Sequence, residues 1–203
     1  MPQPPVEMVM PAAWQLYLTI AFMSCAGASW VYGLVLSLRL RDPLPMLVVI
    51  GGSVAVLGEA PVDLLGLCYW PEIGQWTVYE AFGRKIPFIA LGAYTTFYGG
   101  IVLMTMRQFA RGVSYRKLWT WFLIWMVFEW AWEPVPIHFG VWAYYGDQPF
   151  RFLGFPLWWP PVNTVGAYTA ALLIYRLAPQ LKGAAKLLVI PLVLSGDLMG
   201  NAA

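Results

Sequence analysis

Charged residues make up only 11% of this 203-residue sequence, 12 Lys and Arg against 10 Asp and Glu. A water-soluble domain carries about 25%, so this surface was not built to face water. The formal charge of +2, with no basic run, excludes the electrostatic footprint of a nucleic-acid partner. Histidine occurs once, at His138, which rules out multi-histidine di-iron chemistry. The two cysteines, Cys25 and Cys68, show no metal-type spacing and are expected to be small buried hydrophobes. The chain has no DDxxD stretch to hold a magnesium diphosphate, no phosphate-cradling glycine loop and no Ser-His-Asp or Cys-His set. Glu129, Glu133 and His138 would be the one metal-ligating trio, but Pro134 and Pro136 leave the direction of His138 undefined. Neither a metal nor a cofactor is expected.

What the chain does have is apolar and aromatic: 60% hydrophobic residues, with 12 Trp, 11 Tyr and 11 Phe. Six apolar stretches, at about 13–38, 46–68, 86–108, 117–139, 158–178 and 185–203, each approach the roughly 20 residues that cross a bilayer. The expected class is therefore all-α, a single polytopic membrane bundle over 1–203. It has six helices, with a seventh beyond Ala203 left open because the last stretch lacks a polar tail. The start, "MPQPPVEMVMP", has no basic n-region or small-residue cleavage site and does not read as a signal peptide. Arg39, Arg41, Arg107, Arg111, Arg116, Lys117, Arg176, Lys182 and Lys186 fall on one side of this topology, and Arg84, Lys85 and Arg151 on the other. The positive-inside rule makes the nine-residue side cytoplasmic and puts the N-terminus outside, as in a multi-pass protein of the cell (inner) membrane. The connections 69–85 and 140–157 then lie on the outer side. Rich in aromatics, Pro and Gly, they read as interfacial segments that can fold over the helix ends.

A shift of 74 residues brings Glu59 onto Glu133, Gly66 onto Gly140, Pro87 onto Pro161, and "GAYT" at 92–95 onto "GAYT" at 166–169. This suggests a parallel internal repeat, 58–100 and 132–174, each copy running helix, aromatic outer loop, helix. Repeats of this kind place sites at their interface.

The acids inside the apolar stretches follow one rule. Glu59 and Asp63, Glu129 and Glu133, and Asp197 with Asn201 are each spaced i,i+4, so each pair shares a helix face. Trp121 and Trp125 extend the Glu129–Glu133 face. An ionisable group at membrane depth costs about 2.5–3.5 kcal/mol on insertion scales and marks a functional cavity more often than a structural one. Glu59, Glu129 and Asp197 are the deep ones; Asp63 and Glu133 are expected nearer the interface, where wetting alone would explain them. A carboxyl in a dry pocket keeps its proton and serves as an acid, and aromatic faces stabilise a nearby cation. Together these suit a cyclisation of a greasy polyene, or of its epoxide, begun by protonation.

The stretch "HFGVWAYYGDQPFRFLGFPLWWPPVN", with a weaker copy in "LLGLCYWPEIGQWTVYEAFGRKIPF", resembles the integral-membrane lycopene cyclase domain. It is also similar to the membrane terpene cyclases of meroterpenoid pathways. The resemblance covers about 58–175. It implies a bundle of six or seven helices, no metal, and acid-initiated cyclisation of a lipid-soluble isoprenoid taken from the membrane lipid. The lycopene cyclases carry "P-x-E-E" after the loop; here Pro87 precedes "FIA" and Pro161 precedes "VN", with Asn163 where an acid would stand. That departure turns attention from lycopene itself to the acids of the second, fourth and sixth stretches. Glu59 and Asp197, on an early and a late helix as in those enzymes, are the expected acid–base pair, with Glu129 and Glu133 shaping the catalytic cavity. Substrate contacts are expected from Asp63, Trp121, Trp125, Trp132 and Trp142, and from Tyr94, His138, Asn163, Tyr168 and Asn201. A carotenoid hydratase or isomerase, and a proton-coupled carrier or ligand-binding membrane protein, are the alternatives.

Overall fold

The computed structural model describes residues 2–201. Helix α1 runs Ala12–Leu40, α2 Leu44–Gly66, α3 Phe88–Ala110, α4 Tyr115–Trp132, the short α5 Pro134–His138, α6 Trp159–Leu177 and α7 Gly183–Asn201. The six long helices alternate in direction. Four of them, α1, α2, α3 and α7, are long and apolar enough to cross a membrane. Helices α4 and α6 were expected in that set and fall outside it. Their length of 18 and 19 residues suffices, but Trp, Tyr, Asn, Pro and the terminal Arg and Lys lower their hydropathy. The fourth stretch was expected to continue to 139; instead it breaks after Trp132, and α7 is described only to Asn201, so the expectation to 203 extends beyond the described residues.

Proline explains two of the breaks. Pro61 lacks an N–H and its ring presses on the carbonyl four residues back, at Leu57. Residues Val56–Gly58 tighten into a 3-10 turn there, in which the Val56 carbonyl accepts from the Glu59 N–H and also from the Tyr79 hydroxyl at 2.7 Å. Pro134 and Pro136 act likewise on the end of α4. In α3, a π-helical turn over Thr95–Ile101 widens the helix, a distortion frequent at functional sites.

The two long connections, expected as loops on the outer side, carry short strands. β1 (Cys68–Tyr69) pairs antiparallel with β4 (Ala143–Tyr144); β2 (Thr77–Ala81) with β3 (Arg84–Pro87); β5 (Arg151–Phe152) with β6 (Phe155–Pro156). Both hairpins turn on two residues with positive φ, Phe82 (53°) with Gly83 (68°) and Leu153 (49°) with Gly154 (83°), the type I′ geometry that matches strand twist. The N-terminal segment joins this end: Met10 N–H donates to the Ile73 carbonyl at 2.8 Å, and the Gln15 amide bridges Gly74 and Trp76.

One apolar core fills the bundle between α2, α3, α6 and α7. A second, built on Trp70, Trp142, Tyr144, Phe155 and Trp159, seals the strand end. Apolar helices gain little from one another by hydrophobicity in a lipid setting and depend on close contact of small residues. A Cβ on Gly52 would lie 2.1 Å from the Gly99 nitrogen, and one on Gly200 2.3 Å from the Gly166 Cα. The outward faces of α1 and α4 remain apolar: Tyr17, Val31 and Leu38 on one, Trp119, Val127 and Phe128 on the other, are exposed. Cys25, expected to be buried, is exposed on that α1 face, whereas Cys68 is buried as expected.

Candidate functional site: a buried carboxyl cluster

All five acids of the apolar stretches are buried: Glu59, Asp63, Glu129, Glu133 and Asp197, the last with no exposed surface. Asp63 (2% exposed) and Glu133 (9%) are therefore not wetted at the interface as expected; β1, β4 and their aromatics close over them. Burying so many acids together, with few cations among them, is the reverse of what stability alone would select.

Glu59 is held at both oxygens. Trp70 Nε1 donates to one at 2.9 Å and the Tyr94 hydroxyl to the other at 2.6 Å. The proline break fixes this carboxyl at the start of the segment Glu59–Gly66. Asp63, one turn on, faces Glu59, Cys68, Trp70 and Arg84. Arg84 is itself buried, donates to the Tyr145 hydroxyl at 2.7 Å and lies over the Tyr69 ring. Burial pushes the Cys68 thiol and the Tyr144 phenol up from their ordinary values, so both remain neutral beside the acids.

Asp197 comes from α7. Asn201 Nδ2 donates to its Oδ1 at 2.9 Å, while Oδ2 has no hydrogen-bond partner among the described residues. That free oxygen points at Gly58: a Cβ there would sit 2.8 Å from it. The glycine preceding Glu59 thus lets α7 bring Asp197 against α2, within electrostatic reach of Glu59. Tyr98 lies beside Asp197, though its hydroxyl makes no hydrogen bond of good geometry. Tyr94 and Tyr98, rings 5.1 Å apart, lie beside the two acids on the π-helical side of α3.

Glu133 accepts from Trp142 Nε1 at 3.1 Å, and Glu129 from Asn163 Nδ2 at 3.1 Å, with one Glu129 oxygen left unpartnered among the described residues. Glu129 is the one buried residue of α4, an otherwise outward-facing helix. Trp70 and Trp142 meet with ring centroids 4.7 Å apart, and Trp132 abuts Trp142 at 5.8 Å. These indoles wall the Glu59–Glu133 side.

The expected site residues divide accordingly. Glu59, Asp63, Glu129, Glu133, Asp197, Tyr94, Trp132, Trp142, Asn163 and Asn201 come together. Trp121 and Trp125 stack on each other at 6.2 Å, half-buried, further along α4. Tyr168 does not join the acids; its hydroxyl donates to the Leu118 carbonyl at 3.3 Å. His138 is exposed at the end of α5 against Phe139, because the helix break turns it outward. Among the described residues no group of His, Cys, Asp and Glu is arranged to hold a metal. Sequence reasoning missed Trp70, Tyr98, Tyr144 and Arg84. Tyr98 carried a signal, the i,i+4 spacing from Tyr94; the others depend on strand pairing that spacing does not reveal. No family model, characterised protein or solved structure matches the chain.

Proposed function

We propose that this chain is a membrane-embedded cyclase of a lipid-soluble isoprenoid, working without metal by carboxylic acid catalysis. The observation that carries the reading is the buried pair Glu59 and Asp197, brought together across Gly58 and lined by Tyr94, Tyr98 and the Trp70–Trp142 pair. One carboxyl gives its proton to an alkene carbon or an epoxide oxygen. The alkene π pair, or the breaking C–O bond, leaves a cationic carbon; a second alkene of the same chain attacks it, forming a C–C bond and a new cation. The other carboxylate then takes a proton from the carbon next to that cation, closing the cycle as an olefin. Aromatic faces stabilise the cations in between, and the dry surround keeps water from trapping them.

The same reading takes all six long helices as spans, with the strand end outside and the nine-cation end cytoplasmic. It takes 58–100 and 132–174 as two copies of one unit. Three features support the repeat. Each copy runs helix, strand, I′ hairpin, helix. Each sets a glutamate beside a proline break, held by a tryptophan N–H. In the β1–β4 pair, Tyr69 faces Ala143, its own counterpart at the 74-residue offset. A two-fold axis along the membrane normal preserves helix direction and reverses strands lying in the plane, which gives this antiparallel pairing.

Membranes containing the protein, incubated with polyprenyl epoxides and unmodified polyenes, should yield cyclised products by mass spectrometry. Glu59→Gln and Asp197→Asn should each remove them. Normal turnover by either folded variant would take that residue out of the mechanism. Absence of product from every substrate, together with proton-driven uptake into vesicles, would give the acids to the carrier reading. Labelling of cysteines introduced at 75 or 148 from outside, and not at 112, checks the orientation.

A further inference from the structure

Far from the acids, the opposite end of the bundle is strongly cationic. Arg39, Arg41, Arg107, Arg111, Arg116, Lys117, Arg176, Lys182 and Lys186 gather there, and of the ten carboxylates only Asp42 joins them. A cleft of about 580 Å³ opens at this end between the α1–α2 junction, the ends of α3 and α6, and the start of α7. Its walls are mostly apolar, including Leu44, Met106, Ile174 and Leu181, and its charged groups are Asp42, Lys182 and Lys186. Asp42 accepts from Lys186 Nζ at 2.8 Å, the only ion pair among the described residues, and so orients that ammonium; Lys182 is exposed and has no carboxylate partner among them.

We propose that this cleft binds one anionic phospholipid, its phosphate between Lys182 and Lys186 and an acyl chain along Leu44, Met106, Ile174 and Leu181. The inference rests on the chain being a membrane protein and is independent of the cyclase reading. A small anion would satisfy the lysines but leave the apolar walls wet, whereas a zwitterionic lipid would fill the walls without matching the charge. Basic pockets between helices at the cytoplasmic face suit acidic headgroups in this way.

The test uses the full chain purified in uncharged detergent, its thermal stability read against added phosphatidylglycerol, phosphatidylcholine of the same acyl chains, or inorganic phosphate at matched ionic strength. Phosphatidylglycerol alone should raise the melting temperature in a saturable manner. Lys182→Gln should move the midpoint about five-fold higher, and Ala178→Trp, which fills the cleft, should abolish saturation. Arg116→Gln, a cation of the same end outside the cleft lining, should behave as the parent. Equal stabilisation by phosphatidylcholine or by phosphate would overturn the proposal. So would a Lys182→Gln midpoint equal to that of Arg116→Gln, a comparison that holds even where Ala178→Trp does not fold.

Discussion

The segments Leu44–Ala110 and Tyr115–Leu177 run through the same elements, yet they use them differently. In the first, α2 lies inside the bundle, with two thirds of its apolar window buried; in the second, α4 lies outside with Glu129 as its one buried residue. Tyr94 of the first "GAYT" donates to Glu59, whereas Tyr168 of the second turns to the Leu118 carbonyl. Glu59 therefore has two donors and Glu133 has one. The glycines of the two "GAYT" stretches also find different partners, Gly92 meeting the backbone of α1 at Phe22 and Gly166 that of α7 at Gly200. A shared sequence pattern sets the local device, an acid at a proline break under an indole. Which neighbour packs against it decides whether the acid is central or flanking.

The largest expected contrast is in activity. Glu59→Gln should lower turnover in the proposed cyclisation by about 10²–10⁴-fold, the usual worth of a general acid or base, while Glu133→Gln should cost less than about ten-fold, both measured as product per folded protein. Equal losses would make the two glutamates functionally equivalent. Packing gives the next contrast. A methyl at Gly200 meets the Gly166 backbone at 2.3 Å, one at Gly92 meets that of Phe22 at 2.9 Å. Gly200→Ala should destabilise by about 3 kcal/mol and Gly92→Ala by about 1 kcal/mol, read from unfolding in detergent. A reversed order would mean that the α6–α7 contact gives way more easily than the α1–α3 one.

Trp70→Phe and Trp142→Phe each remove one N–H donor from a buried carboxyl, at about 1–3 kcal/mol. Because the rings touch, the double variant should cost less than the sum of the two; strict additivity would show that the indoles act separately. The smallest effect belongs to the cationic end. The Lys186 hydrogen bond holds the Asp42 carboxyl below its ordinary value. Its contribution is present above the unfolded carboxylate pKa and is lost as pH falls through the lowered folded value. Melting temperature should thus drop slightly more for the parent than for Asp42→Asn as pH falls below about 4, the difference being small because the pair is partly solvated.

Much of this was legible beforehand. Scarce charge and long apolar runs announced a helical bundle, because burying a peptide group away from water requires the internal hydrogen bonds a helix provides. The i,i+4 acids had to share helix faces, but the breaks at Pro61 and Pro134 lay inside the apolar stretches 46–68 and 117–139, which were expected to run on unbroken. What the chain alone did not decide was depth and partnership. Asp63 and Glu133 lie near helix ends, where only the cover from β1 and β4 makes them buried. Trp70 and Trp142 follow their glutamates by eleven and nine residues, a spacing with no helical meaning until the chain reverses. Asp197 reaches Glu59 only because residues 139 apart in sequence, Gly58 and Asp197, meet, and Cys25 faces outward because none of the described residues covers that side of α1. Periodicity fixes which residues share a face of one helix. Which face meets which is set by close contacts between distant segments, and those exist only in the folded protein.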